Sequence, residues 1–260
     1  MTRRSFTRTG ALVVVGALVC FTAALMAQDT RPRSAATTRS KTQAKRGPGN
    51  RPGGIRKPGM SDTIQANIYA DNGFVLYING KLAAVDAIEF LPHNVVSVDV
   101  LPSYPMTLAV MAKDNADPKT GMEYANTNIG DGGFILKLGD GTVTNARWKA
   151  KAFSRGPVGR DATNPHVEEI PIPNNWYAVD FDDSGWASAR EYTEEQVGPK
   201  APFYEHDFRG AKFIWSGDIE LDNTVIFRHR VVAPPDGKPR PDFSNLNNQV
   251  PDGPPRPPRR

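Results

Sequence analysis

The sequence predicts an all-β protein, an antiparallel β-sandwich of jelly-roll type carried between two basic tails. Three observations lead there. Short apolar segments alternate with a period of two, as strands with one buried face do. Asn-Gly and Asp-Gly pairs fall where a tight hairpin needs two residues of positive φ. No alternation of strand and helix patterns occurs, so a parallel sheet is not expected.

Residues 1–27 carry Arg3, Arg4 and Arg8 and no acid, followed by an apolar run from Gly10 to about Ala27. A basic start and a short apolar stretch make a signal peptide. Gly10, Gly16 and Thr22 leave that run only moderately hydrophobic, so it reads as a cleavable address rather than an anchor. Arg3-Arg4-Ser5-Phe6 with Arg8 resembles the twin-arginine export motif, a route that carries folded protein. The single cysteine, Cys20, lies within this run, so the mature chain would hold no disulfide, thiolate metal site or cysteine nucleophile. Residues 28–60 contain nine Lys or Arg, one Asp and almost no large apolar side chain, and are expected to be a disordered basic linker.

The body is expected at 61–232. Phe74–Ile78 and Lys81–Val85 flank Asn79-Gly80 as a hairpin. Val96, Val98 and Val100 alternate with Ser97 and Asp99. Met106, Leu108, Val110 and Ala112 share a face, as do Phe134, Leu136 and Leu138. Asp140-Gly141 marks a second turn before Thr142-Val143-Thr144. Only Ala187–Val197 has the pattern of a short helix. Val225, Phe227, His229 and Val231 alternate with Ile226, Arg228 and Arg230 in a late strand. Residues 233–260 hold nine prolines and end Pro-Pro-Arg-Pro-Pro-Arg-Arg, the composition of a disordered, polyproline-like tail.

The overall charge of +4 conceals a segregation: residues 61–232 hold 15 basic and 24 acidic side chains, a net of −9. An acidic body speaks against specific nucleic-acid recognition, which needs a basic face toward phosphate. The basic flanks read as solvated spacers or as contacts to an anionic surface.

Several phrases, taken together, resemble the galactose-binding-like β-sandwich domains found beside bacterial glycosidases. They are Ala70-Asp71-Asn72-Gly73-Phe74-Val75-Leu76-Tyr77-Ile78-Asn79-Gly80, Met106–Lys113, Gly132-Gly133-Phe134, Thr144–Lys149, Phe181-Asp182-Asp183-Ser184-Gly185-Trp186, Phe213-Ile214-Trp215 and Val225-Ile226-Phe227-Arg228. The series spans about residues 64–232. The resemblance implies a sandwich fold, which hosts sugar binders, lipid binders and structural modules alike. It also implies one structural calcium, for which Asp114, Asn115, Asp117 and Asp131 offer hard oxygen ligands.

Catalytic constellations are weak. Asp180, Asp182 and Asp183 lie close enough for acid–base work, yet such a run more often shapes a turn. His93, His166, His206 and His229 show no metal-ligand spacing, and Glu205-His206-Asp207 reads as a surface loop. Nucleophile-elbow and phosphate-loop patterns are also lacking, since Gly130-Asp131-Gly132-Gly133 is not followed by Lys-Ser/Thr. The expected ligand contacts are therefore aromatic: Trp176, Tyr177, Tyr104 and Tyr124, with Trp176 and Tyr177 expected to be exposed in a Pro/Asn-rich loop. Trp148, Trp186 and Trp215 are expected in the core.

The expectation is an exported module without catalytic machinery, periplasmic, cell-surface or secreted, that recognises a carbohydrate or other cell-envelope polymer. No transmembrane helix is expected once the signal is cleaved. The alternatives are a structural or adhesion protein tethered by its basic tails, and an enzyme of unknown class.

Overall fold

The computed structural model describes residues 57–86 and 95–243. The expected signal at 1–27, the linker as far as residue 56 and the tail beyond 243 lie outside the described residues. Among the described residues, no helix is long and apolar enough to cross a membrane.

Among the described residues, fourteen strands follow in order. They are β1 (Ile64–Asp71), β2 (Gly73–Ile78), β3 (Lys81–Asp86), β4 (Val95–Val100), β5 (Met106–Lys113), β6 (Met122–Glu123) and β7 (Asn128–Ile129). The second half supplies β8 (Gly133–Leu138), β9 (Lys149–Arg155), β10 (Glu168–Glu169), β11 (Ala187–Ser188), β12 (Arg190–Tyr192), β13 (Phe213–Trp215) and β14 (Asp222–Val231). Two one-turn helices, α1 (Glu194–Val197) and α2 (Ala201–Tyr204), interrupt them.

The strands form two antiparallel sheets, the expected sandwich. One sheet runs β12-β13-β8-β1-β4, the other β10-β9-β14-β5-β2-β3 with β11 also on β9, and β6-β7 stand apart as a small hairpin. The period-two residues meet between the sheets. Phe134 of β8 stacks on Phe227 of β14, with ring centroids 5.3 Å apart, and Trp215 and Trp148 close around them. Each such ring removes about 150–250 Å² from water. Both indoles are satisfied: Trp148 Nε1 donates to the Val143 carbonyl at 3.0 Å and Trp215 Nε1 to that of Asp222 at 2.8 Å.

The Asn79-Gly80 hairpin forms as expected, with φ of 50° and 75° and Ile78 opposite Lys81. Two positive φ values match the right-handed twist of the strands it joins. The Asp140-Gly141 turn also forms, and Thr142 N–H donates to Asp140 Oδ1 at 2.8 Å.

Both sheets are covered over part of their outer faces, which is why several strands are buried on both sides while β3 keeps Leu82 and Val85 exposed. Tyr69 of β1 points outward and meets Phe203 and Phe213 edge-on, while Phe208 stacks on Phe203. On the other sheet, Ile226 and Ala109 lie under Trp176, Trp186 and Phe153. This cover explains the continuous burial of β14 from Asp222 to Arg228.

Two boundaries differ from the expectation. Only Glu194–Val197 of the expected helix is helical, capped by Thr193 Oγ1, which accepts from Gln196 N–H at 3.2 Å. Residues 190–192 instead pair with β13, Arg190 opposite Trp215, because burial of Tyr192 against the sheet outweighs local helix propensity. The body also extends past 232. Asp236 N–H donates to the Asp140 carbonyl at 3.0 Å, Arg240 pairs with Asp236 at 2.8 Å, and Ser103 Oγ donates to Asp242 Oδ1 at 3.3 Å. A proline-rich composition does not reveal such specific polar partners.

Candidate functional site

The chemistry gathers at one end of the sandwich, where β1, β5, β6 and the β7–β8 connection deliver acidic residues to one place. Asp71 ends β1, Asp114 follows β5, Glu123 lies on β6 and Asp131 precedes β8. Backbone bonds fix the frame: Asn72 N–H donates to the Lys113 carbonyl at 2.8 Å and Asp114 N–H to that of Asn223 at 2.9 Å. The Asn72 side-chain oxygen accepts the Asn115 N–H at 2.7 Å.

One carboxylate oxygen each from Asp114, Glu123 and Asp131 lies within 4.8 Å of the others. Asp114 and Glu123 are buried, while Asp131 is exposed. Burial raises the Asp114 carboxyl well above its usual range, helped by its hydrogen bond to Glu123 and the charges of Asp131 and Asp71. A carboxyl–carboxyl hydrogen bond requires a proton on one partner. Glu123 is raised too, first by burial. Asp71 is pushed up to about 7, by burial first and then by the charges of Asp131 and Glu123.

Of the four residues expected as metal ligands, two belong here. Asp114 and Asp131 enter the cluster. Asn115 stands at its margin with its backbone bonded to Asn72. Asp117 instead closes a turn, its Oδ1 accepting the N–H groups of Lys119 at 2.8 Å and Thr120 at 3.0 Å. Those donors hold its carboxyl below the usual value. Glu123 and Asp71 are absent from the expected set, because each lies in a strand pattern whose sequence gives no ligand spacing.

The aromatic expectations divide in the same way. Tyr124 directly follows Glu123 and is 67% exposed. It lines a depression with Asn72, Asn115, Glu123 and Asn126. Tyr124, Ala125 and Asn126 all adopt positive φ, at 48°, 58° and 65°. The left-handed region costs a non-glycine residue about 1–2 kcal/mol. The turn is held by Thr127 N–H on the Glu123 carbonyl at 3.0 Å and Thr127 Oγ1 on that of Tyr124 at 2.8 Å.

Trp176 corrects the expectation of exposure. It is 7% exposed, packed edge-on against Tyr77 with centroids 5.3 Å apart. Tyr177 is half-buried, stacked on Tyr77 at 4.3 Å. The cause is Arg228, which is 3% exposed, pairs with Asp183 at 2.7 Å and donates to the carbonyls of Trp176 and Ala178. It draws the loop onto the sheet. Tyr104 is half-buried and bonds Asp140 through its hydroxyl; it precedes β5 whereas Asp114 follows it, so the two stand at opposite ends of that strand.

Asp183 is thus an ion-pair partner, and Asp182 Oδ1 accepts Ser184 N–H at 3.0 Å, as a turn former would. Asp207 of the Glu205–Asp207 triplet pairs with Lys137 and Arg209, both at 2.9 Å.

Comparison with protein-family models, curated proteins and solved structures gave no match.

Proposed function

We propose that the chain is an exported binding module without catalytic machinery, which recognises a carbohydrate or similar hydroxyl-rich envelope polymer at the acidic end of its sandwich. The observation that carries this reading is the exposed Tyr124 ring set beside the amides of Asn72, Asn115 and Asn126 and the Glu123 carboxyl in one depression. A flat apolar ring flanked by amides and carboxylates suits a sugar, whose C–H face stacks while its hydroxyls hydrogen-bond.

The spacing of the acids favours binding over hydrolysis. Glycosidase carboxyls stand about 5–9.5 Å apart with the scissile bond between them. Asp114 and Glu123 instead touch, and both are buried. The signal expected at 1–27 and the resemblance to galactose-binding-like domains support the same reading.

The test is retention of the full chain in gels containing a panel of acidic and neutral polysaccharides. Wild type is expected to be retarded by at least one of them and Tyr124→Ala to run free. Equal retardation of both proteins would remove Tyr124 from the site, and no retardation on any polymer would overturn the carbohydrate reading.

The charge split between an acidic body and basic flanks favours a second reading, an envelope protein tethered electrostatically. Release from envelope material by moderate salt, with unchanged behaviour of Tyr124→Ala, would select it.

A further inference from the structure

The side of β9 that faces away from β14 is only partly covered. β10 pairs there at Ser154 and Arg155, and β11 at Lys149 and Ala150. Between the two, no described strand pairs with Lys151, Ala152 or Phe153 on that side, and the Ile170 N–H closes part of the gap by donating to the Phe153 carbonyl at 2.8 Å. Ala150 and Ala152, which lie opposite Phe227 and Val225 and pack on the core, are too small to fill the space behind the gap. A cleft of about 540 Å³ remains between β9 and the Ser216-Gly217 segment, lined also by Trp186 and Ile170. Small-molecule sites ordinarily measure about 300–1,000 Å³.

Its charge is not balanced. Lys151, Arg155 and Arg190 line the cleft against two acids, Glu168 and Asp222, although the body as a whole is acidic. Asp222 is already met by Arg155 at 3.7 Å and by the Ser216 hydroxyl, which donates to it at 2.6 Å. Among the described residues, neither Lys151 nor Arg190 forms an ion pair. Lys151 Nζ lies over the Phe153 ring, 5.4 Å from its centroid. Arg190 donates to the Gly217 carbonyl at 3.2 Å, and its guanidinium lies over Tyr192 at 5.5 Å. A half-buried lysine and a guanidinium held by a carbonyl and a ring are both oriented without a counter-charge.

We propose that this side cleft binds a small organic monocarboxylate with a short apolar body. The two uncompensated cations supply charge-assisted donors for the carboxylate. The alanine methyls, Ile170 and Trp186 supply the apolar wall, and Ile170 is 49% exposed and open to such a contact. The excess of one positive charge suits a single negative charge, and Glu168 and Asp222 would oppose the second charge of a phosphate. The cleft shares no lining residue with the depression beside Tyr124, so the proposal does not rest on the carbohydrate reading.

The experiment is calorimetric titration of benzoate and of hexanoate into the full chain at neutral pH and constant low ionic strength. Saturable binding of at least one of the two at a single site is expected. Lys151→Gln and Arg190→Gln remove charge outside the core. Each is expected to melt close to wild type and to bind about tenfold more weakly, the loss of one charge-assisted contact. Lys212→Gln, at an exposed lysine outside the cleft, is expected to bind as wild type does. Benzyl alcohol and inorganic phosphate are each expected to bind about tenfold more weakly than the carboxylate, because one lacks the charge and the other carries too much of it. No saturable binding of either carboxylate would overturn the proposal, as would cleft variants that bind as tightly as wild type or a Lys212→Gln protein weakened as much as they are. Benzyl alcohol or phosphate bound as tightly as the carboxylate would overturn the ligand class. None of these results involves a polysaccharide, so failure here and failure of the carbohydrate reading are separable.

Discussion

Asp114 and Gly130 are fitted to each other: the Asp114 carboxyl lies against the bare Cα of Gly130, where a Cβ would overlap Asp114 Oδ2. A glycine shortly before β8 therefore sets the position of a carboxylate that follows β5. Gly130→Ala should push the Asp114 carboxyl aside. The variant is expected to fold with a loss of about 1–3 kcal/mol, the usual cost of overpacking. Denaturant melts check it. Unchanged stability would show that the close approach of Gly130 to Asp114 is not needed by the fold.

Trp176 and Tyr124 exchange the roles that residue type alone would give them. Trp176→Ala should destabilise the fold by about 3–5 kcal/mol, as large aromatic truncations in cores do. Tyr124→Ala, at an exposed position, should change stability by no more than about 0.5 kcal/mol. Only the second is expected to abolish polysaccharide retention at a temperature where both proteins are folded. Urea unfolding followed by tryptophan fluorescence measures the stability arm.

Arg228 ties the 176–183 loop to the outer face of β14. Truncation to Ala leaves the Trp176 and Ala178 carbonyls without their donor and Asp183 without its partner. Loss of one member of a fully buried ion pair costs about 3–5 kcal/mol; Asp183 keeps 32% of its side chain exposed, so the loss here is expected below that range. Arg228→Lys is expected to recover only part of that, because a point charge cannot reproduce the guanidinium fork. Limited proteolysis should cut the loop in Arg228→Ala before the sheets unfold. Equal protease resistance in wild type and variant would contradict this role.

His229 points into the sandwich and stacks on Trp148, with centroids 5.1 Å apart. Burial, then the nearby Arg147 charge, lowers its proton affinity in the folded state. The unfolded chain, with an ordinary histidine near 6.5, therefore binds more protons as the solution is acidified. The stability associated with neutral His229 is present above about pH 6.5 and is lost as pH falls through the folded-state value. Other groups titrate in the same range, so the comparison is with His229→Gln. The difference in melting temperature between wild type and variant is expected to shrink or invert from pH 7.5 to pH 5. A constant difference would show that His229 is not held neutral.

The architecture is legible in the sequence because it rests on local periodicity. The alternation in Val225–Val231 and the Asn79-Gly80 turn each state their structure within a few residues, and both form. The site is legible only in part. Asp114 and Asp131 stand out as hard oxygen donors beside Asn and Gly, but Glu123 reaches them through a two-strand hairpin, and no sequence spacing encodes that approach. Trp176 misleads for a related reason. Its loop is rich in proline and asparagine, which suggests exposure, while its burial depends on Arg228 some fifty residues later. Long-range polar ties of this kind leave no periodic trace. The Asp236–Arg240 pair in the proline-rich segment is hidden for the same reason.

Under the proposed function, a polymer binds at the end of the sandwich carrying Asn72, Glu123 and Tyr124. Backbone amide chemical shifts of the full chain, followed while oligosaccharides from a retained polysaccharide are added, test it most directly. Saturable shifts are expected only at Asn72 and residues 115–127, with the sheet interior unmoved. Saturable shifts centred instead on Tyr77, Tyr177 and the 176–186 loop would contradict it.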